Sequence, residues 1–295
     1  LRTNASFFAD AYDFSGCSVM YNNWTANSRT YRCCALISKR HALVAKHWKP
    51  KVGDQYCFQE ADGTNHNATV LRVTDVNEYT NHASANVEKN LDISVIYFDI
   101  DLDAWFPIYE VMPTDWVDKY TPSLNFADAS SNPLFNASLP CLRLGRHNLD
   151  GDHVDAQVVT VMGLVAHTGY PTDLVVENWY YTLHLAGQYD WVNWNYMPSS
   201  GASRLAYNAN AGTLLPGDSS GPVFLPINGK LVLLGNIKDI GGFTAAAGYN
   251  PEIIVIMDTQ AVASNLAGQT NNDAAAGTYE LLHPDLSAFT DYTLL

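Results

Sequence analysis

The residue in this sequence whose type and spacing most favour catalysis is a serine. It has one glycine two positions before it and another two positions after it. Residues 215–224 read Leu-Pro-Gly-Asp-Ser-Ser-Gly-Pro-Val-Phe, and the serine with this spacing is Ser219. Flanking glycines permit a tight turn that exposes the hydroxyl and directs backbone N–H groups toward a developing oxyanion. A serine becomes nucleophilic only beside a general base, normally a histidine whose tautomer is fixed by a carboxylate.

Candidates for both partners lie upstream, at the ends of strand-like runs. His47 follows the apolar residues 42–45, and Asp92 opens the apolar run 92–97. A residue just outside a strand is held by the sheet while its side chain can face a cleft. We therefore predict that His47 is the general base and that Asp92 orients it. His41 is a weaker candidate because it follows the turn-like residues 38–40.

The elements that must position these residues are predicted to be strands. Short segments rich in Val, Ile, Tyr and Leu recur between clusters of Gly, Pro, Asn and Asp, as is typical of β-structure. These segments are 33–38, 42–45, 68–73, 93–98, 157–164, 174–177, 179–184, 222–225, 231–237 and 253–257. Helical periodicity is confined to residues 259–266, with a weaker case at 84–89. The pattern predicts an all-β barrel or sandwich.

The chain is predicted to consist of two halves and a tail. Pro113 and Pro122 bracket a polar stretch of the kind that separates domains. We place an N-terminal domain at 1–115, a C-terminal domain at 116–267 and a tail at 268–295. The tail starts with small polar residues and ends with leucines. We therefore expect an extended tail that packs on a surface or mediates self-association.

Composition excludes several classes of partner. The chain has 295 residues, with 16 Lys and Arg against 30 Asp and Glu, which gives a net charge of −14. This acidic balance disfavours nucleic acid, because such binding depends on basic side chains that neutralise phosphates. No apolar run reaches the roughly 18 residues that a membrane helix needs, so we expect no membrane association. Hydrophobic residues make up 47% of the chain, enough for a large core.

Four Asn-x-Ser/Thr sequons, at Asn4, Asn23, Asn67 and Asn136, favour a secreted or extracellular glycoprotein, and a viral origin is left open. Five cysteines permit at most two internal disulfides, and we expect Cys17 to pair with Cys33 or Cys34 across a hairpin.

The alternating acidic residues 99, 101 and 103 suggest a calcium site, yet they lack the spacing of a calcium-binding loop. We therefore predict neither a metal nor a cofactor.

Three motifs together resemble those of the chymotrypsin-like serine proteases. That family's nucleophile motif, Gly-Asp-Ser-Gly-Gly-Pro, is matched at five of six positions by residues 217–222. Its histidine motif, Thr-Ala-Ala-His-Cys, is partly matched by residues 44–48, and residues 90–96 are similar to its aspartate motif. The order His, Asp, Ser is also that of the family.

The resemblance implies two six-stranded antiparallel β-barrels with the active site between them, followed by a short C-terminal helix. It implies a serine endopeptidase that acts on proteins or peptides through an acyl-enzyme. Ser219 would attack the scissile carbonyl, His47 would transfer the proton, and Asp92 would orient His47. The backbone N–H groups of Gly217 and Ser219 would form the oxyanion hole.

The resemblance also suggests the substrate pocket. The position six before the nucleophile, which lies at the base of the primary pocket in the family, is here Thr213. Because Thr213 is small and neutral, we expect a preference for apolar or small side chains. Lys238, Asp239 and Ile240 would line the pocket wall.

Departures from the family keep other functions open. Ser220 stands where the family has glycine, Trp48 replaces a cysteine, and residues 1–4 do not carry the family's Ile-Val-Gly-Gly insertion motif. The alternative is a catalytically weak or inactive protease fold that serves as a structural, binding or assembly module. An α/β-hydrolase, with its order Ser, acid, His, is less favoured because the one histidine after Ser219 is His283.

Overall fold

The computed structural model describes residues 9, 11–20, 33–75, 93–111, 139–147, 156–165, 182–186, 219–240, 252–256, 279 and 281–286. Within these residues the protein is all-β, apart from one 3₁₀ turn at Lys46–Trp48. The predicted fold class is thereby confirmed. The predicted helices at 259–266 and 84–89 lie outside the described residues, as does the predicted strand at 174–177.

The first six strands form a closed antiparallel barrel in the order β1-β2-β3-β6-β5-β4. They are β1 (Cys17–Met20), β2 (Cys33–Leu36), β3 (His41–Ala45), β4 (Gln55–Gln59), β5 (Asn65–Asp75) and β6 (Ile93–Phe98). The predicted strand 93–98 coincides with β6. Neither β1 nor β4 was predicted, because both are short and carry few β-branched residues.

The second sheet has seven strands in the order β11-β8-β9-β10-β13-β12-β7. They are β7 (Glu110–Val111), β8 (Leu139–His147), β9 (Ala156–Val165), β10 (Thr182–Ala186), β11 (Pro222–Ile227), β12 (Lys230–Ile240) and β13 (Glu252–Ile256). Because β11 pairs with both β8 and β12, the sheet closes on itself, and β7 joins the outside of β12 in parallel.

Buried residues on both faces of β3 explain its continuous apolar sequence. Ala42 and Val44 point into the first barrel, where they pack with Phe58 and Phe98. Leu43 points outward into a core that both sheets share. That shared core contains Ala35, Leu43, Ile93 and Val95 from the first barrel and Leu142, Phe224 and Leu233 from the second sheet. A strand buried on both faces loses the polar alternation of a half-exposed strand and reads as one hydrophobic run.

The hairpin between β11 and β12 turns at Asn228 and Gly229, whose φ angles are 50° and 75°. Two successive residues with positive φ are the requirement of a type I′ turn, and Asn-Gly is the preferred pair for it. The turn matters for the site because it fixes the register of β11, which begins three residues after Ser219.

The described part of the C-terminal tail packs on the chain's own barrels. The ring of Tyr279 contacts that of His41 in the first barrel, with ring centroids 4.5 Å apart. The N–H of Val111 in β7 donates to the carbonyl of Leu282 at 2.7 Å, and Asn228 Nδ2 donates to the carbonyl of Asp285 at 3.3 Å. Self-association through this tail stays a prediction, and so do the predicted domain boundaries, although β7 lies before residue 115 yet pairs with the second sheet.

The predicted disulfide from Cys17 to Cys33 or Cys34 is wrong: among the described residues, Cys17, Cys33, Cys34 and Cys57 form no disulfide bond. Strand register gives the reason. Cys17 lies opposite Ala35 and belongs to the shared core, whereas Cys34 points into the first barrel. Cys33 lies opposite Val19, two positions along β1 from Cys17. Such a diagonal pair is about 7–8 Å apart, too far for the Cα separation of a disulfide.

Candidate active site

His47 and Ser219 meet where the two barrels face each other. His47 lies in the 3₁₀ turn that follows β3, with an exposed side chain, and Ser219 lies in the turn before β11. His47 Nε2 and Ser219 Oγ are 2.9 Å apart although the residues are separated by 172 positions in the chain. This distance is that of a hydrogen bond between a hydroxyl and an imidazole nitrogen. The fold therefore brings together the predicted base and the predicted nucleophile.

The neighbouring hydroxyl, that of Ser220, has a different partner. Ser220 is 1% exposed, and its Oγ accepts the backbone N–H of Ala45 at 2.8 Å. Its φ of 73° lies in the left-handed region, which costs a residue with a Cβ about 1–2 kcal/mol. Of the two adjacent serines, Ser219 is therefore the one that faces His47, while Ser220 is turned into the protein.

Backbone hydrogen bonds fasten the serine turn to β12. The N–H of Ser220 donates to the carbonyl of Ile237, and the N–H of Ile237 donates to the carbonyl of Gly221, each at 2.9 Å. Because both bonds come from residues that directly follow Ser219, they fix the direction in which its Cβ leaves the backbone.

On the other side of the site, β6 lies beside the strand that leads to His47. Ile93, the first residue of β6, is the register partner of Ala45. Asp92 precedes Ile93 in the sequence and lies outside the described residues, so its predicted role stays a prediction. The site as described is a His47–Ser219 pair.

The carboxylate of Asp75, which the sequence did not predict, contacts lysines in and beside the turn that contains His47. Asp75, at the end of β5, accepts hydrogen bonds from Lys49 Nζ at 2.6 and 2.7 Å and from Ser94 Oγ at 2.7 Å. Lys46 Nζ is 4.0 Å from the same carboxylate. Burial alone would raise the pKa of Asp75, but the hydrogen bonds from Lys49 and Ser94 and the two lysine charges outweigh it. The pKa therefore lies below its usual value.

No sequence signal identifies Asp75, because it belongs to no motif and its partners come from two other parts of the chain. The two lysines that flank His47 do show in the sequence as part of a short basic patch. The structure shows that these two lysines lie against the carboxylate of Asp75.

The predicted substrate-binding residues are only partly described. Lys238, Asp239 and Ile240 lie on the last part of β12, where Asp239 and Ile240 pair with Ile253 and Glu252 of β13. Gly217 of the predicted oxyanion hole and Thr213 of the predicted pocket lie outside the described residues.

Two of the three acidic residues considered for calcium, Asp99 and Asp101, have partners within the protein. Asp101 accepts hydrogen bonds from Arg40 and Lys39, which hold its pKa below the usual value. Asp99 accepts the backbone N–H of Thr69 at 2.7 Å. The part of the chain that the structure describes contains no group of three or more potential metal ligands. Within the same residues, no helix is long and apolar enough to cross a membrane.

Comparison with known proteins finds similarity in structure but none in sequence. No family model matches the sequence, and no curated protein matches it. Among solved structures, the chain is similar to HL collagenase, with a TM-score of 0.51 and 16% sequence identity. The similarity covers 89% of this chain and 97% of the collagenase chain. The chain therefore shares the fold of this collagenase.

Proposed function

We propose that this protein is a serine endopeptidase in which Ser219 is the nucleophile and His47 is the general base. The observation that carries the proposal is the 2.9 Å separation of His47 Nε2 and Ser219 Oγ, made between residues of different barrels. A protease fold and the order His, Asp, Ser in the sequence support the same assignment.

The proposed reaction proceeds in two stages. The Ser219 hydroxyl donates its hydrogen bond to neutral His47 Nε2, attacks the substrate carbonyl carbon and passes its proton to the imidazole. The backbone N–H of Ser219, with that of Gly217, would stabilise the oxyanion. Collapse of the tetrahedral intermediate breaks the C–N bond, and His47 returns the proton to the leaving amine. Water then repeats the sequence on the acyl-enzyme and releases Ser219.

A neutral primary pocket is part of the proposal and is supported by sequence alone, through the small uncharged Thr213. Without an acidic residue at that position, a basic substrate side chain has no charged partner. We expect cleavage after apolar or small residues. A peptide-library profile dominated by Arg or Lys would contradict this part of the proposal.

Fluorophosphonate labelling tests the function without knowledge of the substrate. Ser219 Oγ forms a bond to phosphorus, fluoride leaves, and the serine proton passes through His47 to solvent. Intact-mass analysis should show one adduct on the native protein and none on Ser219→Ala, on His47→Ala or on denatured wild type. His47 is exposed and Ser219 is partly buried, so both variants should stay folded.

A native, folded wild type that forms no adduct would reject the proposal. That result would favour the alternative of an inactive protease fold that serves as a binding or assembly module. Size-exclusion chromatography of the full chain beside a variant that ends before residue 268 would then test the tail's role in self-association.

A further inference from the structure

Ser220 makes hydrogen bonds to both barrels. Its N–H donates to Ile237 in the second sheet, while its Oγ accepts the N–H of Ala45 in the first barrel. The residue is almost completely buried, so both bonds are shielded from water. Ser220 is thus a bridge between the barrels that lies next to the proposed nucleophile.

Ser220 bonds to Ala45, which is close in the sequence to His47 and pairs with the residue after Asp92. Ala45 ends β3 and precedes His47 by two residues. The ladder between β2 and β3 ends at the pair Ala35 and Leu43, so the N–H of Ala45 extends beyond it and meets Ser220. On its other side, Ala45 pairs with Ile93, the residue after Asp92.

The backbone of Ser220 is strained. At a φ of 73° glycine is the residue that carries no strain. Ser220 adopts this strained conformation, and in it the hydroxyl accepts a hydrogen bond from the buried backbone N–H of Ala45.

We propose that Ser220 is a positioning residue, whose hydroxyl sets the distance between His47 Nε2 and Ser219 Oγ by fixing Ala45 against the serine turn. This inference rests on the proposed endopeptidase function. It assigns Ser220 no contact with substrate and no share in proton transfer.

Two variants separate the hydroxyl from the backbone. Ser220→Gly removes the hydroxyl and relieves the strain, and Ser220→Ala removes the hydroxyl and keeps the strain. The matched control is Ser38→Ala, because Ser38 Oγ accepts the N–H of His41 at 3.0 Å at the opposite end of β3. Both serines are buried, and each accepts a backbone N–H of the same strand.

The readout is the rate of fluorophosphonate labelling, measured well below the lowest melting temperature of the set. We expect both Ser220 variants to label at least about tenfold more slowly than wild type, a loss of at least about 1.4 kcal/mol of transition-state stabilisation. We expect Ser38→Ala to label within about twofold of wild type even if it melts earlier. With a cleavable peptide, kcat should fall in the Ser220 variants while KM changes little.

Each other outcome has a distinct meaning. Labelling of both Ser220 variants at the wild-type rate would overturn the positioning role and leave the proposed function intact. Slow labelling of Ser220→Gly with normal labelling of Ser220→Ala would also overturn it, because the effect would then come from backbone freedom. An adduct on Ser220 in the Ser219→Ala variant would overturn it as well, while an unlabelled wild type would reject the function itself.

Discussion

The stability of the two Ser220 variants tests the geometry of the barrel contact independently of catalysis. Ser220→Ala leaves the N–H of Ala45 without its acceptor in a buried place, which costs about 1–3 kcal/mol. Ser220→Gly loses the same bond but recovers about 1 kcal/mol, because glycine adopts the φ of 73° without strain. The free energy of unfolding should therefore decrease in the order wild type, Ser220→Gly, Ser220→Ala.

Urea denaturation followed by tryptophan fluorescence measures this order, since the slope of the transition reports whether the variants unfold over the same surface. At about 2 °C per kcal/mol for a chain of this size, Ser220→Ala should melt about 2–6 °C below wild type. Wild-type stability of Ser220→Ala would show that the bond to Ala45 contributes nothing. A Ser220→Gly variant less stable than Ser220→Ala would show that the backbone at this position is not strained.

Three further predictions concern other parts of the structure. His47→Ala should lower the labelling rate of Ser219 by at least about 10³-fold while the melting temperature stays near that of wild type; labelling at a rate close to wild type would refute the role of His47. Asp75→Asn should lower the free energy of unfolding at neutral pH by about 1 kcal/mol or less, because its ion pair is partly exposed. Since the pKa of Asp75 is lowered in the folded protein, its contribution is present above the unfolded carboxyl's pKa of about 3.9 and is lost as the pH falls through the folded value. Urea denaturation of both proteins between pH 7 and 2 should show the difference shrinking, and a constant difference would contradict this assignment. Burial raises the pKa of the Cys34 thiol. Iodoacetamide should therefore modify the half-buried Cys33 and Cys57 in the native protein and Cys34 only after unfolding. Peptide mapping that finds Cys34 modified first would show that the first barrel opens.

The proximity of Ser219 and His47 could be predicted because each residue has a local signal in the sequence. Ser219 lies between two glycines in the sequence, and His47 follows a strand that is buried on both faces and therefore has a continuous apolar sequence. The all-β class followed from the same kind of signal, repeated along the chain.

Features that depend on pairing between distant strands could not be predicted. The contact of Asp75 with Lys49 and the position of Cys17 depend on strand register, and the bond from Ala45 to Ser220 depends on how the two barrels meet. A shift of one residue would turn Asp75 or Cys17 to the other face of its strand. Composition and motif spacing carry no information about that choice.

The long separation along the chain between His47 and Ser219 has a consequence for folding. The first barrel is complete once residue 98 has been made, because all its strands lie within residues 17–98. His47 follows a strand of this barrel, whereas Ser219 precedes β11 of the second sheet. The hydroxyl of Ser219 can reach His47 only when the second sheet has formed. A folding intermediate that contains the first barrel alone would therefore lack the His47–Ser219 pair.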